Sequence, residues 1–460
     1  MSGWRAFALV FACATSCTKT NPDASCANGT CSNPAFPYCD FDGSIGGTAG
    51  ECVAVTCSPG DVKECSGSAA LTCNDAGDGY DLDSCALGCT NNGSAHCAYL
   101  QPTYMPDVCD SRAAGSSITF TGSGTLDPNL DSNCTGGVLM QAGANDICVV
   151  RYNSISVVAG STLTILGAAG SGRALALVAD DTLTVDGFVD VGAHTGLNGP
   201  GGGTFISGAL PGGAPGVIYG GGGAGGASAG GAGGAHNGSN DSGGQDGGAM
   251  NGGQPTMNPA SLAVLVGGAS SPVPVNDDPP GTTIASIGGG GGALEVVSCH
   301  GVVTVSGMIN AGGGGGSGGI DPLIPIGGFG GGAGGNVLIE GVGVSITGSV
   351  FANGGGGGAG ACYENQTAMP GDNGADGSLS DSVAAAGGTS CGPAGSGGFA
   401  GAPAGAGGFS NGNGSGVYAP GGGGGSVGFL QTYTPAGVTP TLTPAHVSPA
   451  FQASGTVLTR

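Results

Sequence analysis

Basic residues are scarce in this chain. Lys and Arg total 7 against 30 Asp and Glu over 460 residues, a formal net charge of −23. That balance excludes a nucleic-acid binder, because phosphate recognition needs clustered Lys and Arg. Charged residues of both signs amount to only 8%, and 39% of the chain is hydrophobic, which excludes a solvated, charged disordered tail. Aromatics are 5%, with a single Trp. No glycine-free apolar stretch approaches the roughly 20 residues that a membrane-spanning helix needs. Lysine occurs only at Lys19 and Lys63, so the many Gly-x-Gly-x-x-Gly matches belong to no phosphate-binding loop and are compositional. No Cys-x-x-Cys occurs and the five His are dispersed, which removes the usual spacing of a zinc site.

Glycine, by contrast, reaches 107 residues. It follows no strict three-residue period and Pro is only 26, so the chain is not collagen. A long amphipathic helix is excluded as well, since each Gly costs about 1 kcal/mol relative to Ala there. A β-rich or loop-rich extracellular protein remains.

The first residues carry an address. Arg5 followed by the apolar residues 6–14 reads as an export signal, residues 1–16, too short to span a membrane. It ends Ala14-Thr15-Ser16-Cys17, the form of a bacterial lipobox, which makes Cys17 the lipidation candidate. Cys13 competes, but bulky Phe11 precedes it. Parity favours Cys17: 18 − 2 = 16 cysteines remain, an even number able to pair fully. Thr18 after the Cys points to the outer membrane and the cell surface; plain secretion is the alternative.

In an exported chain those cysteines are disulfide candidates. Cys26, Cys31, Cys39 and Cys52 form one unit (residues 17–56), and Cys57, Cys65, Cys73, Cys85, Cys89 and Cys97 a second (residues 57–109, ending at Cys109). With few apolar runs there, bridges must replace a core. Connectivity is open, since six Cys allow fifteen pairings. Cys134, Cys148, Cys299, Cys362 and Cys391 follow, the last two bracketing a glycine-rich insertion. Asp75, Asp78, Asp81 and Asp83 are weak Ca²⁺ candidates; Ala76 and the missing closing Glu break the EF-hand pattern, so no cofactor is expected.

Residues 110–460 form the last region, and from Ile118 onward the chain repeats. Thr182-Leu-Thr-Val-Asp-Gly-Phe-Val-Asp-Val191, Val302-Val-Thr-Val-Ser-Gly-Met-Ile-Asn-Ala311 and Gly343-Val-Ser-Ile-Thr-Gly-Ser-Val-Phe-Ala352 align without gaps. Apolar residues recur at Leu183/Val303/Val344, Val185/Val305/Ile346 and Val189/Ile309/Val350, around Gly187, Gly307 and Gly348; a degenerate copy ends at Gly167. Period-two alternation means short strands with one buried face, and a Gly held inside it marks a corner. The expected fold is all-β: a right-handed parallel β-helix (solenoid) whose Val, Ile and Leu stack as ladders. A β-sandwich is the competitor, but it predicts no repeated glycine register. The glycine tracts (199–253, 288–292, 312–335, 354–360 and 387–425) follow the repeat at one place and so read as insertions at one corner. They are either flexible linkers or extended polyproline-II-like segments packed side by side.

No catalytic set emerges. Asp180, Asp181, Asp186 and Asp190 are the acids that a polysaccharide hydrolase on a solenoid face would need, but Ser306, Asn310, Thr347 and Phe351 replace the last two in later copies. Cys299 beside His300 reads as bridged rather than nucleophilic, and Gly371-Asp-Asn-Gly-Ala-Asp376 resembles a Ca²⁺-binding repeat that is not iterated. Beyond Lys63 the basic residues are Arg112, Arg151, Arg173 and Arg460, too few for a lyase with a basic catalyst.

The lipobox at Cys17, the six-Cys unit from Cys57 to Cys97, the Asp146-Ile-Cys-Val149 entry and the Val303-Thr-Val-Ser-Gly-Met-Ile-Asn-Ala repeat together resemble the glycine-rich, cysteine-rich surface lipoproteins of myxobacteria and related predatory bacteria. The resemblance spans nearly the whole chain. It implies a surface location and transfers no catalytic residue. The expected role is structural or adhesive, towards matrix polysaccharide, prey or kin cells, with the membrane touched only through lipid. A carbohydrate-active β-helix enzyme and an ice- or flat-surface-binding protein are the alternatives.

Overall fold

The computed structural model describes residues 26, 31–33, 35–36, 38–40, 48–54, 57–58, 60–74, 77, 79–91, 94–110, 116–168, 172–194, 196–203, 223–225, 227–233, 264–271, 287–320, 326–364, 367–391, 393–399, 403–407, 417–452 and 455–460. The export signal and Cys17 lie outside these residues, as do Asp75 and Asp78. Two compact units divide the chain, Met1–Ala98 and Tyr99–Arg460.

The first unit is small antiparallel sheets held by sulfur. Tyr38–Asp40 pairs with Glu51–Val53, and Val62–Ser66, Ala69–Cys73 and Tyr80–Ser84 form a three-stranded meander. Cys26–Cys39 and Cys31–Cys52 bridge the first part; Cys57–Cys73, Cys65–Cys89 and Cys85–Cys97 bridge the second. The buried apolar side chains among the described residues of this unit are Cys52, Cys57, Cys73 and Cys85, with Ala70 as the one that is not a cysteine. Disulfides therefore occupy the place of a core, as small exported domains require. The Sγ atoms of Cys26, Cys31 and Cys52 lie within 4.8 Å of one another, but all three are spent in bridges and none is a thiolate ligand.

The second unit is built from two parallel ladders that the chain visits in turn. Its strands are β1 (Ser123–Leu126), β2 (Ile147–Val157), β3 (Thr162–Ile165), β4 (Ala174–Val185), β5 (Phe188–Asp190), β6 (Ala293–Val305), β7 (Met308–Asn310), β8 (Asn336–Ile346), β9 (Ser349–Phe351), β10 (Phe429–Thr434) and β11 (His446–Ser448). The odd-numbered strands form one sheet in the order β1-β3-β5-β7-β9-β11 and the even-numbered strands the other, β2-β4-β6-β8-β10. All these pairings are parallel. Gly137–Leu139 adds antiparallel to β2, and short strands at Ile118–Phe120, Thr441–Leu442 and Gly455–Thr456 extend the even sheet.

The register repeats the sequence alignment residue for residue. Leu183 pairs with Val303 and Val303 with Val344; Val185 with Val305 and Val305 with Ile346. In the odd sheet Val189 pairs with Ile309 and Ile309 with Val350. These side chains, with Leu175, Leu177, Leu294, Val296, Val337 and Ile339, form one buried cluster between the sheets. Each contributes roughly 1.5–3 kcal/mol relative to exposure, and a one-residue slip would turn the whole row outwards. The long even strands are two segments each, with register shifts at Tyr152/Ser154, Ala179/Leu183 and Ser298/Val302.

The two kinds of corner differ. From even to odd strand the chain turns within 158–161, 186–187, 306–307 and 347–348, and takes 435–445 only at the last; from odd to even it spends 127–146, 166–173, 191–292, 311–335 and 352–428. The glycine tracts occupy this wide corner. At the tight corner Gly187, Gly307 and Gly348 stack: a Cβ on Gly307 would strike the Gly187 carbonyl, and one on Gly348 the Gly307 carbonyl. None of the three has a positive φ, so close backbone approach, not conformational freedom, selects glycine there. Gly167 is different and corrects the alignment of the degenerate copy. Leu163 pairs with Val189, which puts Gly167 after the odd strand, at the wide corner, where its Cα abuts the Asn198 carbonyl. The corner equivalent to Gly187 in that copy is the turn at 158–161.

Residues 99–109 belong to this unit although composition changes only near Cys109. Leu100–Gln101 pairs with Leu458–Thr459, and Cys109 is bridged to Cys299 on β6. Cys134–Cys148 and Cys362–Cys391 complete the bridges. Among the described residues no helix is long and apolar enough to cross a membrane.

Candidate functional site

Glycine segments of the wide corner are packed inside the protein. Residues 354–360 are buried throughout, and their hydrogen bonds repeat every three residues. Gly355, Gly358 and Ala361 donate to Gly332, Phe329 and Ile326; Gly354 and Gly357 to Gly398 and Gly395; Gly356 and Ala359 to Ala375 and Asp372. Three neighbours addressed in rotation is the signature of an extended helix with three residues per turn, the polyproline-II geometry, which makes no internal hydrogen bonds. The remaining directions are closed too, since a Cβ on Gly356, Gly357 or Gly358 would strike the carbonyl of Ala386, Gly422 or Ser317. Segments 312–319, 328–335, 371–377, 385–398 (residue 392 aside) and 421–428 form the surrounding members of this lattice. Of the two states open to the tracts, the packed one is found for these residues. Only glycine lets six backbones approach one another this closely, and the N–H groups of residues 354–359 each donate to a neighbouring backbone carbonyl, as burial demands.

A second feature lies on the opposite face of the even sheet. Glu295 on β6 and Glu340 on β8 point away from the apolar cluster, and both are completely buried. Glu295 lies across from Leu338, and Gln431 on β10 lies across from Leu338 on the other side. Asn336 and Glu340 flank Leu338 along β8, so four polar side chains surround one buried leucine. Residues 99–109 cover them like a strap: Leu100, Tyr104, Met105 and Cys109 are buried. Thr103 holds Glu340 with its backbone N–H (3.0 Å) and its hydroxyl (2.5 Å). Burial lifts the Glu340 carboxyl to about 7, against the opposing pull of the Thr103 hydrogen bonds. Glu295 is raised well above the ordinary carboxylate range by burial and by Glu340 beside it. Burial likewise raises Tyr104 and, to a lesser extent of enclosure, Tyr433, whose hydroxyl accepts from Gln431 Nε2 at 3.2 Å.

The acids singled out from sequence are dispersed into structural contacts. Asp180 is buried and paired with Arg151 at 2.7 Å. Asp186 accepts a hydrogen bond from the Ser306 hydroxyl, and Asp190 from Asn310 Nδ2 at 2.8 Å, each tying one strand to the next. The Asp181 backbone carbonyl accepts from Ser298 Oγ. Asp81 and Asp83 sit exposed on the strand Tyr80–Ser84 rather than in a loop. In the stretch resembling a Ca²⁺ repeat, Asn373 accepts from the Gly318 N–H and Asp376 from Gly315, both at the lattice; Asp376 also contacts His194 Nδ1 at 2.9 Å. Cys299 is bridged, and His300 contacts the Asp180 carbonyl at 3.1 Å and stacks edge-on against Tyr99.

Sequence reasoning missed the Glu295–Glu340 pair. The signal was there: an acid at the outward phase of two consecutive, otherwise apolar strands (Leu294-Glu-Val296 and Ile339-Glu-Gly341). No family model, curated protein or solved structure matches this chain.

Proposed function

We propose that the chain is an exported surface protein with a structural or adhesive role, anchored by lipid at Cys17 in the outer membrane. In this reading the two alternating ladders wind as a right-handed parallel β-solenoid, and the wide corners build a plate with a packed glycine interior whose outer segments present a small-residue surface to polysaccharide or to other cells. The resemblance to myxobacterial surface lipoproteins agrees with that address. The observation that carries the reading is the burial and three-way hydrogen bonding of residues 354–360. It makes the glycines of these described segments a packed building material, of the kind a passive linker has no use for. A hydrolytic reading finds no support in Asp186 and Asp190, which are engaged with the neighbouring strand.

The test is a glycan array together with whole-cell binding by the purified mature chain. Saturable binding to a polysaccharide or cell surface is expected, insensitive to Asp186→Asn and Asp190→Asn. Failure to bind any glycan or cell overturns the adhesive role. In the native host, Cys17→Ser is expected to move the protein from the membrane fraction to the medium; retention in the membrane overturns the lipid anchor.

A further inference from the structure

We propose that residues 102–108 are a pH-released strap, latched by Glu295 and Glu340 while this carboxyl pair keeps its protons and loosened as the protons leave. Both carboxyls are completely buried, on adjoining strands. They are diagonal neighbours on one sheet face, because Glu295 lies across from Leu338 and Glu340 stands two residues further along β8. Two successive strap residues hold them. The Thr103 N–H and hydroxyl donate to Glu340, and the Tyr104 N–H donates to Glu295. Glu295 gives its own proton in a hydrogen bond to Glu340, and the Asn336 side chain meets the Tyr104 hydroxyl. The latch therefore joins β6, β8 and the strap. Both ends of the strap are tied independently of it, at Leu100–Gln101 by pairing with Leu458–Thr459 and at Cys109 by the bridge to Cys299. Only the stretch between can open, and it stays tethered to close again.

The charges that ionisation would create meet no cation. The groups acting on the two carboxyls are Thr103, Tyr104 and each other. Tyr433 on β10 faces Glu340; burial raises it and Tyr104 above the ordinary 10.0, so both stay neutral near neutral pH. Arg151, on the same sheet face, is engaged by Asp180. Arg460 is engaged by Asp107 and Asp110 of the strap's own length. Tyr99, beside Asp110, and His300, edge-on to Tyr99, flank the near end. Glu340 ionises first, at about 7, with the two Thr103 groups and the Glu295 proton as donors around it. Glu295 follows at higher pH, beside an anion. A second negative charge enclosed without a counter-ion is driven towards water, and opening the strap admits water.

The direction follows from proton binding. With the strap open the carboxyls meet water and titrate near the ordinary 4.5; with it closed they hold their protons to higher pH. Closure is thus strongest below 4.5 and weakens as pH rises through about 7. Between these values the closed strap retains two protons that the open one has lost. The opening constant therefore rises by up to about a hundredfold per pH unit, tenfold for each proton. The two steps belong to the pair, since each carboxyl sets the other's affinity.

Met105, 1% exposed, reports opening, and Met140, 85% exposed, is the reference. The intact chain is pulsed with hydrogen peroxide between about pH 5 and 8, and oxidation of each thioether to the sulfoxide is read by peptide mass. Oxidation of Met105 relative to Met140 is expected to climb by more than about tenfold per pH unit, and to fall back when the pH is lowered before the pulse. Glu295→Gln keeps a donor for Glu340 but has no proton to lose, so its climb is expected to be about tenfold per unit or less. In the double variant Glu295→Gln, Glu340→Gln the climb is expected to vanish, and in His300→Gln to persist. A measurement on the parent alone stands beside these: the infrared C=O band of a buried protonated carboxyl is expected to fade over the same pH range. A Met105 rate independent of pH overturns the latch, as does a double variant that responds like the parent or a His300→Gln chain that loses the response. Loss of the ladders' circular dichroism together with Met105 protection also overturns it, in favour of global unfolding.

Discussion

Gly307 rests directly on Gly187, with no space for a single carbon between the Cα of one and the carbonyl of the other. Met308 donates to that same Gly187 carbonyl at 2.8 Å, so the contact is part of the ladder. Gly307→Ala is therefore expected to force the two strands apart and to cost at least about 1–3 kcal/mol, the usual range for an overpacked site. Gly124→Ala is the control, since a Cβ there meets nothing within 4 Å. Chemical denaturation compares the two; equal stabilities would refute the stacking account.

The glycine lattice predicts slow amide exchange. The N–H groups of Gly355, Gly356, Gly357 and Gly358 all donate to neighbouring backbones and are expected to be protected like core strand amides, by orders of magnitude over a free linker. Complete exchange within seconds would eliminate the lattice. Gly358→Ala, aimed at the Ser317 carbonyl, is expected to accelerate exchange across the neighbouring segments as well as its own.

Cys109 and Cys299 close a loop of sequence separation 190. Chain-entropy reasoning gives such a bridge up to about 5 kcal/mol. The double replacement Cys109→Ser, Cys299→Ser is expected to lower stability by a large part of that amount and to expose the strap to limited proteolysis before the ladders unfold. A variant with unchanged stability and an uncut strap would show that Leu100–Gln101 and Thr103 hold the segment by themselves.

His194 and Asp376 form a pH-dependent link between the β5–β6 connection and the lattice. The hydrogen bond to Asp376 raises the His194 pKa, with burial opposing it. A raised folded pKa means the folded state binds the proton more tightly. The link is thus at full strength below the ordinary His value of about 6.5 and is lost as pH rises through the raised value. Titration of the His194 ring by NMR is expected to give a midpoint above 6.5, returning towards it in Asp376→Asn. A midpoint unmoved by that substitution would show that the contact carries no charge coupling. The side chain is about half exposed, so the effect on global stability is small.

Much of the ladder was legible because its physics is local. The alternation at Leu183, Val185 and Val189 and the Gly between them recur at one spacing, and stacking identical rows is what such a recurrence produces. The pairings Leu183–Val303–Val344 follow from it directly. The misplaced Gly167 shows the limit: a degenerate copy offers two plausible alignments, and only the partner strand decides between them. The lattice could be conceived but not chosen from sequence, because a glycine has no side chain with which to state its neighbours. Glu295 and Glu340 escaped for another reason. Each alone reads as a solvated outward residue, and their burial depends on a strap more than 180 residues earlier in the chain, pinned through Cys109 and Cys299.

The inequality of the two corners has a consequence for how such a chain can change. Where Gly187, Gly307 and Gly348 stack, even a methyl group collides, so those corners are frozen by geometry. At the wide corner the excursions run from 166–173 to 191–292 without disturbing the register of the strands they connect. Added residues there need not shift a ladder, because the next strand finds its place by pairing and not by counting. Novelty is thereby channelled to one edge: outgrowths can lengthen, shorten or be exchanged like pages in a binding, while the spine keeps its shape.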